Sequence, residues 1–198
     1  SHLTRLLTDG TIDENFNTGT GFNGNVYSCN VQPDGKIIVA GNFTVYNGNS
    51  VGRLIRLNSD GTYDASFNTT IGATTGIIYD IALQPDGKII VVGSFTKYNN
   101  ITVNRIARIL PNGALDTSFV TGSGSSVNIT NARIVDNGKI LITGNFTSFN
   151  GFSSNRIIRL NPDGSKDSSF NTGTGFNSYI SSIAMQTDGK ILMGGFFT

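Results

Sequence analysis

From Asn25 onward the chain first alternates and then stops alternating. Val26, Ser28 and Asn30 fall on one face of an extended segment and Tyr27, Cys29 and Val31 on the other, so residues 25–31 are expected to form a strand. The run Ile37-Ile38-Val39-Ala40 has no polar partner positions. It predicts a second strand, over 36–44, buried on both faces. A third strand is expected over 53–58 and a shorter fourth over 62–67. Asp34-Gly35 and Asp60-Gly61 lie at the first-to-second and third-to-fourth connections, and such dipeptides suit tight hairpins because they accept positive φ. The second-to-third connection is longer and variable.

This pattern returns along the whole chain. Gly35, Gly87, Gly138 and Gly189 close four Asp-Gly or Asn-Gly turns spaced 52, 51 and 51 residues apart. Each is followed by Lys, an apolar run and Gly-x-Phe-Thr (Gly41, Gly93, Gly144 and Gly195 leading it). Arg-x-x-Arg follows at Arg53/Arg56, Arg105/Arg108 and Arg156/Arg159, with Arg5 in the same register. Asp-x-x-Phe closes each unit at Asp13/Phe16, Asp64/Phe67, Asp116/Phe119 and Asp167/Phe170. A strand buried on both faces needs a neighbour on either side, and radial repetition supplies both. The expected architecture is an all-β propeller of four-stranded antiparallel blades in one domain, 1–198. Its repeats fall at about 17–67, 68–119, 120–170 and 171–198, the last completed by 1–16 so that both termini enter one sheet. A fragment of a ring of six to eight blades, or two chains sharing one ring, are the alternatives. Starting and stopping inside a repeat is also what a piece of a longer protein would do.

The motifs Gln-Pro-Asp-Gly-Lys-Ile, Gly-x-Phe-Thr-x-Tyr-Asn-Gly, Arg-Ile-x-Arg-Leu-Asn-x-Asp-Gly and Asp-x-Ser-Phe resemble the delta-sixty repeat, a propeller family of otherwise unknown function. The departures are small: Asp136-Asn137 replaces Pro-Asp in the third copy, and Ala107 stands mid-strand. The resemblance implies an extracellular, cell-surface or virion setting and carries no catalytic residues with it.

Charge narrows the function classes. Fourteen basic residues against thirteen acidic ones give no electrostatic reason to expect nucleic acid or an anionic membrane as partner. No apolar run approaches the roughly 18 residues that span a bilayer, and Cys29 has no second cysteine to pair with. Ten of the thirteen acids occupy repeated positions, leaving Glu14, Asp80 and Asp136; eleven of the fourteen bases do so, leaving Lys97, Arg133 and Lys166. A catalytic site breaks symmetry, and little here breaks it. One histidine, His2, at the extreme terminus supports no Ser-His-Asp triad, and one His with one Cys supports no zinc site. Asn58 to Asp64 resembles the start of a calcium loop but lacks the distal bidentate glutamate. No catalytic residue, no metal site and no cofactor are expected, and the chain is read as a non-enzyme.

A partner is expected on the face formed by the second-to-third connections and the linkers between repeats. There, aromatic–amide pairs recur: Tyr46-Asn47, Tyr98-Asn99 and Phe149-Asn150, with Phe22-Asn23 and Phe176-Asn177 on the linkers. Rings flanked by amides suit a glycan or a protein surface, and the same rings would equally serve to plug neighbouring blades. The resulting expectation is a non-catalytic recognition module, with a structural spacer or assembly unit, homo-oligomeric or part of a larger chain, as the alternative.

Overall fold

The computed structural model describes residues 2–69 and 71–198. The first repeat contains β1 (Val26–Val31), β2 (Ile37–Gly41), β3 (Val45–Tyr46), β4 (Asn49–Ser50) and β5 (Leu54–Leu57). The second repeats this as β6 (Ile78–Leu83), β7 (Ile89–Gly93), β8 (Lys97–Tyr98), β9 (Ile101–Thr102) and β10 (Ile106–Ile109). The third gives β11 (Ile129–Ile134), β12 (Ile140–Gly144), β13 (Ser148–Phe149), β14 (Phe152–Ser153) and β15 (Ile157–Leu160), and the fourth β16 (Ile180–Met185) and β17 (Ile191–Gly195). All pairings are antiparallel. The sheets run β1-β2-β5, β6-β7-β10 and β11-β12-β15, so the second strand of each complete repeat is central.

The apolar run of that central strand is explained by where its two faces go. Ile38 and Ala40 join Ile81, Ile89 and Val91 of the next repeat in one core cluster, whereas Val39 points back into a cluster with Ile55, Leu57 and the N-terminal Leu3. Ile90 and Val92 do the same toward Ala132, Ile140 and Ile142, and Leu141 toward Ile180 and Ile183. The core therefore lies between repeats rather than within a sheet. At about 25 cal/mol per Å² of apolar surface, this burial is the main force holding neighbouring repeats together.

Two local features differ from expectation. The fourth strand shrinks to a single bridge in each unit, Leu57↔Tyr63, Ile109↔Leu115 and Leu160↔Lys166, with Leu6↔Ile12 at the N-terminus. The reason is the following aspartate: Asp64 Oδ1 accepts from Ser66 N at 3.0 Å and bends the chain away before a ladder can form. The second-to-third connection, in turn, holds a small hairpin, β3–β4 and its equivalents. Asn47-Gly48, Asn99-Asn100 and Asn150-Gly151 stand at its tip with positive φ at both positions, as a two-residue hairpin turn requires.

The expected stitching of the two ends into one sheet is corrected by the structure. Among the described residues β17 is hydrogen-bonded to β16 alone, and the hairpin at residues 3–16 docks on the first repeat, where Arg5 Nη1 donates to the Ser59 carbonyl and Asn17 N to that of Asp60. The physical consequence is visible in burial. The central strands β7 and β12 are buried at every position, whereas Leu192 in β17 is 56% exposed.

Candidate functional site

Each repeat's first strand carries a bulge at the same place, between Val26 and Ser28, Ile78 and Asp80, Ile129 and Asn131, and Ile180 and Ser182. A bulge gives one strand an extra residue and re-aims the side chains around it. The residue opposite must be glycine. A Cβ on Gly41, Gly93, Gly144 or Gly195 would lie 1.9–2.4 Å from the carbonyl oxygen that precedes the partner strand. The glycine of Gly-x-Phe-Thr is thus the backbone counterpart of the bulge.

Downstream of these bulges the sequence stops repeating. The first strands β1, β6 and β11 converge on a cleft of about 410 Å³ whose polar lining includes Ser28, Asn30, Asp80 and Arg133. Asp80 is buried, and its carboxylate accepts four hydrogen bonds. Oδ1 takes Ser28 Oγ at 2.9 Å and Ile81 N at 3.0 Å; Oδ2 takes Arg133 Nη1 at 2.6 Å and Ala132 N at 3.1 Å. One carboxylate thereby holds three successive repeats. Asn30 Nδ2 donates to the Ile81 carbonyl at 3.2 Å. Arg133 Nη1 also donates to the Ala132 carbonyl, and its side chain remains 40% exposed. Beside the cleft, Tyr27 and Tyr79 meet edge to face with ring centroids 5.9 Å apart, Tyr27 being largely exposed. Asp80 and Arg133 are the acid and the base that stand outside the repeat pattern and meet in space. That census was the available signal, and loop-centred reasoning passed it by.

The ring candidates fall elsewhere. Tyr46, Tyr98, Phe149 and Phe22 are buried, which corrects the expectation that these side chains present a binding surface. Tyr46 OH donates to the Gly61 carbonyl at 2.5 Å, and its ring packs against Phe22 at 4.5 Å; Tyr98 OH donates to the Gly113 carbonyl. Burial, aided by the nearby Asp60 charge, pushes the Tyr46 hydroxyl up to about 12, and burial raises Tyr98 further. Phe176 is half-buried against Phe197. The amides lock loops: Asn47 Oδ1 accepts from Gly21 N, Asn99 Oδ1 from Gly72 N and Asn150 Oδ1 from Ser123 N. Asn23 Oδ1 accepts from Thr44 N and Val45 N, and Asn177 Oδ1 from Thr198 N. These contacts each fall within one repeat, where they fasten the small hairpin and the third-to-fourth turn to the linker that opens the repeat.

The repeated charges, by contrast, join repeat to repeat. Arg56 Nε donates to Asp64 at 2.7 Å while Nη1 reaches the Pro111 carbonyl of the next repeat, and the guanidinium lies 4.9 Å from the Phe67 ring centroid. Arg108 reaches Asp116 and the Pro162 carbonyl in the same manner. The Asp64 and Asp167 carboxyls are partly desolvated, which alone would raise them. Donors from Lys36, Ser66 and Arg56 at one, and from Lys139, Ser169 and Arg159 at the other, more than offset this and hold both well below the usual carboxylate range. The calcium-like loop closes on itself, with Asp60 Oδ1 accepting from Thr62 N and Oγ1.

Antiparallel repeats that share cores with their neighbours, and first strands that converge on one cleft, define a β-propeller-type repeat protein. The chain belongs to the family described as domain of unknown function (DUF5122) β-propeller, whose profile matches residues 32–67, 84–119 and 136–170, more than half of the chain. No curated protein matches it. Among solved structures it is similar to a protein of unknown function from Bacteroides caccae, with a TM-score of 0.56 and 17% identity over 96% of this chain and 62% of that one. It also matches virginiamycin B lyase from Staphylococcus aureus (TM-score 0.49, 22% identity, 86% of this chain and 48% of that one). A third match is YCF48 bound to D1 peptide (TM-score 0.49, 14% identity, 87% and 47%). The chain spans about half to three-fifths of the length of these structures.

Proposed function

We propose that the protein is a non-catalytic recognition module that binds a protein or glycan surface at the cleft between β1, β6 and β11, in the secreted, cell-surface or virion setting that its delta-sixty resemblance implies. The observation that carries this reading is that the cleft gathers the paired charges which do not repeat. A site that distinguishes partners needs chemistry that differs from blade to blade, and the turns and loops instead repeat one set of contacts. Arg133 spends Nη1 on Asp80 and the Ala132 carbonyl, and among the described residues Nε and Nη2 have no acceptor, which leaves them for a ligand. A fixed guanidinium fork suits a carboxylate or a main-chain carbonyl. An acidic peptide segment fits this set better than a neutral sugar does. Catalysis is disfavoured because Asp80 already accepts four hydrogen bonds and keeps no oxygen free to act as base or nucleophile.

The test is a side-by-side screen of an acidic-peptide library and a glycan array with wild type and Arg133→Gln. Acidic-peptide binding that falls at least tenfold in Arg133→Gln is the expected result. Binding unchanged by Arg133→Gln, on either array, overturns the site.

A further inference from the structure

One linker departs from the contacts that the loops otherwise repeat. In the first repeat Asn23 Oδ1 accepts from the N–H groups of Thr44 and Val45 at 2.8 and 2.9 Å. Thr75 Oγ1 takes the Thr96 N–H at 3.5 Å in the second repeat, and Asn177 Oδ1 takes that of Thr198 in the fourth. The third repeat has Ser125-Ser126 where the first and fourth have Phe22-Asn23 and Phe176-Asn177. Serine is shorter than asparagine, and the contact is lost. Among the described residues Ser126 Oγ has no hydrogen-bond partner, and the N–H groups of Thr147 and Ser148 have no acceptor.

The linker has also parted from its hairpin. Isolated bridges Phe22↔Tyr46 and Ala73↔Tyr98 tie the first two linkers to their hairpins, and none forms in the third among the described residues. Ser125 turns its hydroxyl onto the Val127 carbonyl of its own linker at 2.7 Å. Ser154 N donates to Thr147 O, which makes Ser148 and Ser153 a non-hydrogen-bonded pair. The Ser148 N–H therefore points away from β14 and toward the linker. Between them lies a hollow of about 320 Å³, at the lower end of the range for small-molecule sites. It is walled entirely by the second and third repeats: Asn104 and Arg105 line it from one, Ser123, Ser125, Ser126 and Ser148 from the other. Among the described residues no acidic or aromatic side chain lines it. Arg105 Nη1 donates to the Ser125 carbonyl at 2.9 Å, and its Nε is buried without an acceptor. A guanidinium with no carboxylate beside two unclaimed main-chain N–H groups suits a carboxylate. The rest of the lining is hydroxyl and amide, which offers hydrogen bonds to a polyol and little apolar contact to a peptide side chain.

We propose that this hollow binds the carboxylate of an acidic sugar residue, at a site separate from the cleft between β1, β6 and β11. One carboxylate oxygen accepts from Thr147 N and Ser148 N, as Asn23 Oδ1 accepts from their counterparts Thr44 and Val45 in the first repeat. Arg105 balances the charge, and the ring hydroxyls of the sugar meet the hydroxyls of Ser126 and Ser148.

The experiment is an amide NMR titration of the nitrogen-labelled chain with D-glucuronate, run beside D-glucose and N-acetylglutamate. The expected result is saturable movement of the Thr147 and Ser148 amide signals with glucuronate, and binding weaker by about tenfold or more for the other two probes. Ser126→Asn supplies the amide oxygen from within the chain, as Asn23 does. It should melt at or above the wild-type temperature and bind glucuronate about tenfold or more weakly. Ser126→Asp sets a negative charge in the same place and should lose binding as well. Signals that do not move, or that move equally with glucose, overturn the proposal. N-acetylglutamate binding as tightly as glucuronate overturns the sugar and assigns the hollow to a peptide carboxylate. Undiminished glucuronate binding in either folded Ser126 variant removes the site from this linker.

Discussion

Asp80 and Arg133 lie 53 residues apart in sequence and 2.6 Å apart in space. Their contact joins the second repeat to the third, and Ser28 brings in the first. Truncating Asp80 leaves the N–H groups of Ile81 and Ala132 without their acceptor, and a lost partner for a buried donor costs about 1–3 kcal/mol. Asp80→Ala should therefore destabilise by about 2–4 kcal/mol in urea unfolding. Arg133→Ala, at a half-exposed position, should cost about 1 kcal/mol. A double-mutant cycle should recover a coupling energy above about 0.5 kcal/mol. Additive effects would show that the pair is not formed in solution.

Gly93→Ala and Gly48→Ala separate close approach from backbone conformation. A Cβ at Gly93 would lie 1.9 Å from the Ile77 carbonyl oxygen, in rigid backbone, so the bulge must be disrupted to admit it. Gly48 has φ of 77° and open space around its Cβ position, so alanine there incurs only the left-handed penalty. Thermal unfolding should show a loss of roughly 3 kcal/mol or more for Gly93→Ala and about 1 kcal/mol for Gly48→Ala. Equal losses would remove the bulge from its place in the account.

Much of the fold was legible because a 51-residue period fixes which residues are equivalent, and the unbroken run Ile37 to Ala40 can be satisfied only by neighbours on both faces. The Arg56–Asp64 pair also sits on repeated positions, a fork and a carboxylate eight residues apart in fixed register. The cleft was missed for the complementary reason. Repeats draw attention to what recurs, and Asp80 and Arg133 are informative because they do not recur. The aromatic–amide pairs misled because a ring beside an asparagine reads the same whether it faces solvent or plugs a hairpin. The decision lies in tertiary packing, where Phe22, Phe43 and Tyr46 close on one another. The separation of the ends likewise depends on how each repeat is rotated against the next, which no local pattern encodes.

Buried rings imply that Tyr46, Tyr98 and Phe149 act on stability. Tyr46→Phe removes one hydrogen bond, to the Gly61 carbonyl, and should cost about 1 kcal/mol. Tyr46→Ala, and likewise Phe149→Ala, should cost about 3–5 kcal/mol by leaving cavities in the inter-repeat core. Circular dichroism melts read this directly. A folded triple alanine variant with near-native melting would return these rings to the surface and revive them as ligand contacts.

Stability should depend on pH at both extremes and be flat between them. Asp64, Asp116 and Asp167 have carboxyls held below the usual range in the folded protein, partial burial being outweighed by hydrogen bonds from their serine, arginine and, for two of them, lysine neighbours. For a depressed group the stabilisation is complete above its unfolded value, about 3.9 for aspartate. It is lost as pH falls below that value toward the folded one, because the unfolded chain takes up protons first. Tyr46 and Tyr98 run the other way. Their folded hydroxyls are raised, Tyr46 to about 12, so their contribution is complete below the unfolded value of about 10 and is lost as pH climbs past it. Urea midpoints should then stay level from about pH 5 to 9, drop steeply below about pH 4 and drop again above about pH 10. Asp64→Asn/Asp167→Asn should start less stable at neutral pH and show a shallower acid limb, since the protons it can no longer bind are those that drive the fall. An acid limb of unchanged steepness in that variant would assign acid unfolding to other carboxylates and remove the arginine–aspartate junctions from its cause.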